Sequence, residues 1–241
     1  MERPQEPLAR SLSVLIPVFN EEATIRECLR RVHEVPLTLS KQVVIVDDGS
    51  HDGTIPAIEA FRAAHPDLDL ELIRHGRNQG KGAAVRTALA HATGDIVIVQ
   101  DGDLEYDPRD FPGLLQPLLE GRADAVFGSR FLGGPHRVMY FWHMVANKSL
   151  TLLSNMLTNF NLTDMEVCYK AMFRHVAESL QLSSERFGIE PEITAKLARG
   201  GWRLYEVPVT YAGRSYNEGK KITWHDGAAA LVHIVRYRFL D

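Results

Sequence analysis

The sequence is poor in cysteine, with only Cys28 and Cys168 among 241 residues. These two residues lie far apart, each inside an apolar pattern, so we expect buried free thiols in a reducing compartment and no disulfide framework. Long hydrophobic runs are also absent, since no stretch approaches the roughly 20 apolar residues of a membrane-spanning helix. Residues 1–10 are polar and lack the apolar centre of a secretory signal. Together these absences predict a cytoplasmic location.

An excess of positive charge is absent as well. Lys and Arg number 27 against 31 Asp and Glu, for a net charge of -4, which gives no reason to expect a nucleic-acid partner. The composition, 45% hydrophobic and 24% charged, is that of an ordinary globular protein. Internal repeats, low-complexity tracts and clear linkers are missing too. We therefore predict a flexible tail at residues 1–10 and a single domain at residues 11–241.

Strand and helix patterns alternate through the first half of the chain. Apolar runs predict buried strands, and apolar residues at helical spacing predict the helices between them. The predicted strands are 12–18, 43–46, 70–74, 96–99 and 123–127, and the predicted helices are 21–34 (capped by Asn20), one capped by Thr54, 83–92 and 110–119. This alternation favours an α/β fold with a mostly parallel sheet and helices on its faces.

The second half follows a different pattern. It predicts an aromatic-rich helix at 139–160, strands at 165–173 and 202–211, a helix at 191–199 and a C-terminal helix within 220–240. The first of these helices and the C-terminal end, which carries Arg236 and Arg238, would suit a membrane interface. The alternative is that both helices belong to the core.

Three acidic residues follow the predicted strand 96–99 at alternate positions: Asp101, Asp103 and Glu105. Carboxylates gathered at a strand end repel one another, and a divalent cation removes that cost. Hard oxygen ligands suit Mg²⁺ or Mn²⁺, which bind one or two carboxylates together with substrate phosphates. For an isolated D-x-D pattern, an acidic turn is the simpler explanation, so the neighbouring clusters decide the interpretation.

Other polar residues follow neighbouring strands at the same predicted edge, where ligands bind in such sheets. Asp48 could accept from a base N–H and a ribose hydroxyl, or could simply cap its turn. The glycine-broken loop 76–82 offers backbone N–H groups and the cation of Lys81 before a helix, which suits a diphosphate, although an ordinary strand-to-helix loop is equally compatible. This loop matches neither a P-loop nor a dinucleotide fingerprint.

Three cations lie at the ends of predicted elements: Arg130, Arg214 and Lys220. Each could be a solvated surface charge. Residues 213–221 form a basic loop that could instead fold over an anionic substrate, as active-site lids do. Asp164 precedes a predicted strand, either as a turn residue or as a base or orienting group at an acceptor site.

Five motifs occur together in a characteristic order: residues 16–21, 46–50, 101–105, 128–130 and 190–192. In this combination the chain resembles the inverting family 2 glycosyltransferases, and within them the polyprenyl (dolichyl) phosphate mannosyl- and glucosyltransferases, over residues 12–225. The resemblance implies a GT-A fold, with a mostly parallel central sheet flanked by helices in a single domain. Residues 11–130 would form the nucleotide-sugar part and residues 131–241 the acceptor part.

The resemblance also implies roles for individual residues. Donor nucleotide-binding positions are Pro17, Phe19, Glu21, Val46, Asp48, Lys81, Asp101 and Gly102. Metal ligands are Asp101, Asp103 and Glu105, the last at a position often occupied by Gln. The acceptor phosphate and the lid involve Arg130, Arg214 and Lys220, and the catalytic group comprises Asp103, Asp164 and Arg130. The implied cofactor is Mg²⁺ or Mn²⁺.

Two departures from the family pattern bear on the substrate. Many relatives carry C-terminal membrane helices, whereas no such stretch occurs within these 241 residues. The Pro-Met-Ser-Gly run of mannosyl synthases is replaced by residues 164–170, which look more like the glucosyl branch. We therefore expect UDP-glucose or GDP-mannose as the donor, with neither the sugar nor the base fixed by the sequence.

The expected reaction moves a hexose from the nucleotide sugar to a polyprenyl phosphate. A phosphate monoester has a second pKa of about 6 and needs cations but no strong base. The alternative acceptor is a glycan hydroxyl, which needs a base, with Asp164 or Glu190 as candidates. A sugar nucleotidyltransferase and a non-catalytic nucleotide-sugar-binding protein are further alternatives. A peripheral contact with the cytoplasmic membrane face and a homo-oligomer are compatible with the sequence.

Overall fold

A seven-stranded sheet forms the centre of the molecule in the computed structural model, which describes residues 9–133, 137–186, 188–214 and 224–239. The strands are β1 (Ser11–Val18), β2 (Ser40–Asp47), β3 (Asp69–Arg74), β4 (Ile96–Val99), β5 (Ala125–Ser129), β6 (Lys170–Phe173) and β7 (Leu204–Pro208). Their order is β3-β2-β1-β4-β6-β5-β7. Only β6 is antiparallel to its neighbours, β4 and β5. The predicted mostly parallel α/β sheet is confirmed.

Helices cover both faces of this sheet. They are α1 (Ile25–Glu34), α2 (Thr54–Ala64), α3 (Lys81–His91), α4 (Phe111–Leu119), α5 (Phe141–Thr158), α6 (Arg174–Ser179), α7 (Ile189–Gly200) and α8 (Trp224–Phe239). The central strands are therefore apolar on both faces: every residue of β4 is buried, as are most of those in β1 and β2. In the parallel register Leu15 of β1 lies opposite Val99 of β4, and Val18 lies opposite Asp47 of β2. The segments that follow these strands consequently meet at one edge.

Two predicted helix caps are wrong. Asn20 has a left-handed backbone with φ of 52°, and its side chain accepts from the His51 N–H at 2.9 Å. Helix α1 therefore begins only at Ile25. Thr54 is the first residue of α2, and its N–H donates to Asp52 Oδ1 at 3.0 Å, so Asp52 supplies the acceptor at this helix start.

The second half differs more from the prediction. The strand expected at 165–173 is only Lys170–Phe173, because the Lys170 ammonium donates to the carbonyl oxygens of Met165 and Val167 and holds that segment in a turn. The strand expected at 202–211 is Leu204–Pro208, and α6 was not predicted. Both cysteines are buried and free, as expected.

Residues 1–8 lie outside the described residues, while the Asp95 carboxylate accepts from the Arg10 and Ser11 N–H groups at 2.8 and 3.1 Å. Among the residues described, none of the helices combines the length and apolarity needed to cross a bilayer.

Candidate active site

A cleft of about 510 Å³ opens at the carboxyl ends of β1, β2, β4 and β5. It brings together most of the residues selected from the sequence. Those lining it are Pro17, Phe19, Glu21, Asp48, Lys81, Asp101, Gly102, Asp103, Glu105, Arg130 and Arg214. Val46 and Asp164 lie behind its walls and do not line it, and Lys220 lies outside the described residues.

Asp101 and Lys81 form an ion pair on the cleft wall. The Lys81 ammonium lies 2.9 Å from Asp101 Oδ1 and 3.2 Å from Glu190 Oε1. Lys81 is the first residue of α3, and Gly80 before it has a φ of 98°, a conformation that favours glycine. The turn therefore places the Lys81 ammonium next to the acidic segment 101–105, where it could pair with a diphosphate.

Asp103 lies in a tight turn after β4. Its Oδ1 accepts from the Glu105 N–H at 3.1 Å, and the intervening Leu104 has a φ of 64°, which is unusual for a residue with a side chain. Burial raises the pKa of Asp103 to about 7, and the charges of Asp101 and Glu105 add to the effect. Ionisation of Asp103 beside Asp101 and Glu105 is therefore unfavourable, and a bound divalent cation would offset that cost.

The donor set fits a metal held partly by substrate. Within the described parts of the chain, no group of three or more His, Cys, Asp or Glu side chains is arranged to enclose a metal ion. Two cleft-lining carboxylates, Asp101 and Asp103, match the sparse protein ligation of Mg²⁺, whose shell is completed by phosphates and water. The third predicted ligand, Glu105, accepts from the Tyr211 hydroxyl at 3.0 Å and from the Arg214 N–H at 2.7 Å.

Arg214 closes one side of the acidic turn. Its guanidinium donates to the Asp103 carbonyl oxygen at 2.6 Å and to Glu21 Oε2 at 2.8 Å. Together with the bonds to Glu105, these contacts fasten the segment after β7 across the end of β4. Arg214 therefore links the described start of the predicted lid, residues 213–214, to the acidic turn, in addition to lining the cleft. Residues 215–221 of that lid lie outside the described residues.

Arg130 reaches the cleft from the end of β5, and the buried Asp164 carboxylate holds its guanidinium in place. Its Nε and one terminal nitrogen donate to the two oxygens of Asp164 at 2.6 and 2.7 Å, and its backbone N–H donates to the same carboxylate at 3.0 Å. The guanidinium also lies over the Tyr211 ring at 5.2 Å. Asp164 is 0% exposed, a geometry that matches the orienting role among those considered for it.

Asp48 organises the loop before α3. Its Oδ1 accepts from His75 Nδ1 at 2.7 Å and from the Gln79 N–H at 2.9 Å, while Oδ2 accepts from the Gly80 N–H at 2.7 Å. His75 Nε2 in turn lies 3.0 Å from the Thr87 hydroxyl. The carboxylate thus lines the cleft and also holds the loop that positions Lys81. Sequence reasoning missed His75, which carries no motif.

Three cleft residues, Tyr106, Glu166 and Tyr211, had no local sequence signal. Tyr106 and Tyr211 form an isolated bridge between distant segments, with ring centroids 5.3 Å apart. Glu166 and Glu190 also line the cleft. Glu190 belongs to the motif 190–192 and is a candidate base, whereas the sequence predicts no role for Glu166. Their importance depends on segments that meet only in the folded chain.

Solved structures with the same architecture define the fold class. The chain is similar to glucosyl-3-phosphoglycerate synthase from Mycobacterium tuberculosis in complex with Mn²⁺, UDP and phosphoglyceric acid, with a TM-score of 0.74, 20% identity, and coverage of 100% of this chain and 85% of that one. The same enzyme with Mg²⁺ and UDP gives a TM-score of 0.72 at 21% identity, covering 100% and 86%. The fold is GT-A, as expected.

The protein family follows from the sequence. The family model described as Glycosyl transferase family 2 matches residues 13–181. The chain therefore belongs to glycosyl transferase family 2.

Alignments with curated relatives cover most of this chain. Undecaprenyl-phosphate 4-deoxy-4-formamido-L-arabinose transferase of Klebsiella pneumoniae (strain 342) is 30% identical over 217 residues, 89% of this chain and 63% of the relative. Its counterpart in Aeromonas hydrophila subsp. hydrophila is 31% identical over 211 residues, 87% and 62%. The chain thus spans less than two thirds of the length of these relatives.

Proposed function

We propose that this chain transfers a hexose from a nucleotide sugar to a polyprenyl phosphate, with inversion at the anomeric carbon and with Mg²⁺ or Mn²⁺. The observation that carries the proposal is the convergence of Asp101, Asp103, Lys81 and Arg130 on one cleft. Two carboxylates with a cation beside them suit a metal-bound diphosphate, and a second cation suits an anionic acceptor.

Residues 11–130 would hold most of the donor. Pro17, Phe19 and Asp48 line the part of the cleft suited to the nucleoside, and Val46 supports this part from within the sheet. Lys81 would donate to the diphosphate. Asp101 and Asp103 would hold the metal, which would supply positive charge to the nucleoside diphosphate leaving group. UDP-glucose and GDP-mannose are the donors we propose.

Residues 131–241 would hold most of the acceptor. The names of the curated relatives include undecaprenyl phosphate, which supports a polyprenyl phosphate acceptor. A phosphate oxygen attacks the anomeric carbon from the face opposite the diphosphate, forming the new C–O bond as the bond to the diphosphate breaks. A guanidinium has five N–H donors, so Arg130 retains capacity for phosphate beyond its bonds to Asp164. Arg214 and Lys220 remain proposed acceptor contacts.

A glycan hydroxyl acceptor is the second candidate. It requires a base with an oxygen facing the cleft. Glu190 lines the cleft, whereas both oxygens of Asp164 accept from Arg130, so Glu190 is the stronger candidate base for that reaction. Membership of the glycosyl transferase family argues against a nucleotidyltransferase.

A peripheral contact with the cytoplasmic membrane face would bring the lipid acceptor to the cleft. The start of α5 exposes Tyr140, Phe141 and Trp142, the last at 75%. Helix α8 packs on α5, where the Arg238 guanidinium donates to the Leu157 carbonyl oxygen at 2.6 Å, and it also exposes apolar side chains. Exposed aromatic side chains of this kind are typical of surfaces that sit at a lipid headgroup layer.

Incubation with radiolabelled UDP-glucose or GDP-mannose, Mg²⁺ and polyprenyl phosphate tests the proposed reaction. Label should move to the organic phase, and Asp103→Ala should abolish this transfer while the thermal transition remains cooperative. Label appearing only in an added glycan would favour the hydroxyl acceptor. Transfer that survives in Asp103→Ala would contradict the assigned metal site.

A further inference from the structure

Two carboxylates on the cleft wall have no part in the proposed transfer to phosphate. Glu166 lies in the turn before β6, and Glu190 lies in the first turn of α7. Both line the same cleft as Asp101. A phosphate acceptor needs no base, and anionic groups repel a phosphate, so neither carboxylate is explained by the acceptor.

Each of these side chains has a buried oxygen that lacks a hydrogen-bond partner. Glu190 is 6% exposed; its Oε1 lies 3.2 Å from the Lys81 ammonium, while its Oε2 has no partner among the described residues. Oε1 of Glu166 is also buried and has no hydrogen-bond partner among the described residues. Leaving a buried acceptor unsatisfied costs about 1–3 kcal/mol, and more when it is charged. Such atoms in a cleft wall are explained if a ligand supplies the donors.

Their position relative to the donor follows from shared neighbours. Lys81 contacts both Asp101 and Glu190, so Glu190 lies one side chain away from the proposed diphosphate site. Glu166 and Glu190 line the same cleft, and after burial the charge of Glu190 is the largest factor that raises the pKa of Glu166, to about 7. The sugar attached to a diphosphate at Asp101 must lie within reach of this pair.

We propose that Glu166 Oε1 and Glu190 Oε2 accept hydrogen bonds from two hydroxyls of the transferred sugar and thereby determine which sugar is accepted. This assignment rests on the proposed function. Hydroxyl groups are the matching chemistry, since they are neutral donors that satisfy the unpaired oxygens. A site built to pair with a hydroxyl rejects analogues that lack it, because the buried acceptor is then left unpaired.

Binding measurements on the full chain test the assignment without relying on turnover. With Mn²⁺ present, affinities for UDP and UDP-glucose, and for GDP and GDP-mannose, are compared by calorimetry. In Glu166→Ala and Glu190→Ala the ratio of sugar-nucleotide to nucleoside-diphosphate affinity should fall about tenfold. Affinity for the diphosphate itself should stay within a factor of about two in Glu166→Ala. Glu190→Ala also removes a partner of Lys81, so for that variant the ratio alone is the readout. The Gln variants, which keep a carbonyl acceptor, should lose less. Glu185→Gln, an exposed glutamate outside the cleft, is the matched control.

Deoxy donors give a second measurement on the unaltered chain. Removing the hydroxyl that a glutamate accepts should weaken binding about tenfold, and the same removal should have no effect in the corresponding Ala variant. An unchanged ratio in both folded Ala variants, or full affinity for every deoxy donor, would overturn the assignment. If the Ala variants do not fold, the deoxy series alone decides. Failure of the proposed use of a nucleotide sugar would appear differently, as absence of binding by all four nucleotides, and failure of the proposed acceptor would appear only in the transfer assay.

Discussion

Arg130 reaches the cleft wall with its guanidinium fixed by a buried partner that lies 34 residues further along the chain. The pair is worth little as a source of stability in itself, because desolvation offsets much of the attraction. Its value is geometric, since two parallel N–H···O bonds fix the plane of the guanidinium. A cation held in this way can meet a phosphate without first losing side-chain freedom.

Asp164→Ala should lower the free energy of unfolding by about 3–5 kcal/mol, because it leaves the Arg130 charge buried without its partner. Urea denaturation measures this loss. Glu178→Ala is the control, since it breaks the exposed pair with Arg174 in α6, an interaction worth at most about 0.5 kcal/mol. A loss for Asp164→Ala as small as that of the control would contradict the buried-pair interpretation.

At the scale of elements, α3 approaches the segment 184–186 closely enough to require glycine. A Cβ on Gly82 would overlap the Ser184 carbonyl oxygen, whereas a Cβ on Gly113 in α4 would meet open space. The contact joins the helix that carries Lys81 to the segment that leads into α7 and Glu190. Close packing here therefore sets the distance between two walls of the cleft.

The two glycines give a matched pair of substitutions. Gly82→Ala should destabilise the fold by about 1–3 kcal/mol through overpacking. Gly113→Ala should stabilise it by up to about 1 kcal/mol, since alanine is the better helix former and nothing obstructs it. Thermal unfolding of both variants checks the prediction. Similar shifts of the melting temperature with the same sign would show that the close approach of α3 to residues 184–186 does not require glycine.

The exposed start of α5 gives another prediction for an element. Phe141→Ala with Trp142→Ala should weaken co-sedimentation with vesicles of phosphatidylcholine and phosphatidylglycerol about tenfold or more, because the apolar area transferred to lipid is lost. Tyr205→Ala, an exposed aromatic residue on β7, should bind like the unaltered chain. If the unaltered chain fails to bind anionic vesicles, the membrane contact is wrong.

At the scale of the whole molecule, buried carboxyls make stability depend on pH. Glu166 faces Glu190, Lys170, Arg130 and Asp164, and burial followed by the Glu190 charge raises its pKa from 4.5 to about 7. The folded chain therefore keeps this proton to higher pH than the unfolded chain does. Between about pH 4.5 and 7 the contribution of Glu166 to stability falls as pH rises, and it levels off above that window.

Urea denaturation at several pH values between 5 and 8, about one unit apart, checks this dependence. Glu166→Gln should make the decline less steep than in the unaltered chain, because the amide does not titrate. Asp103, whose pKa is also raised to about 7, still contributes to the decline in this variant. Glu185→Gln changes an exposed side chain and should leave the decline as it is. Parallel curves for the unaltered chain and Glu166→Gln would show that the carboxyl titrates normally.

Local patterns were sufficient for the first five strands. Four of them are short apolar runs bounded by turn residues, and β3 alternates apolar Leu70 and Leu72 with charged residues. They also identified Asp101, Asp103 and Arg130, because polar residues after parallel strands share one edge. The antiparallel insertion of β6 could not be predicted, as it depends on pairing with strands formed more than 40 residues earlier. Tyr211, Glu166 and His75 acquire their roles through similar long-range contacts.

The place of β6 has a consequence for how the chain is made. Because β6 lies between β4 and β5, the two strands synthesised before it cannot join into one sheet until residues 170–173 have emerged from the ribosome. Until then the edges of β4 and β5 that β6 covers stay open, and open strand edges are prone to pairing with other chains. A fragment ending at residue 130 would keep that hazard permanently. Residues 11–130 are therefore not expected to fold as an independent unit during biosynthesis.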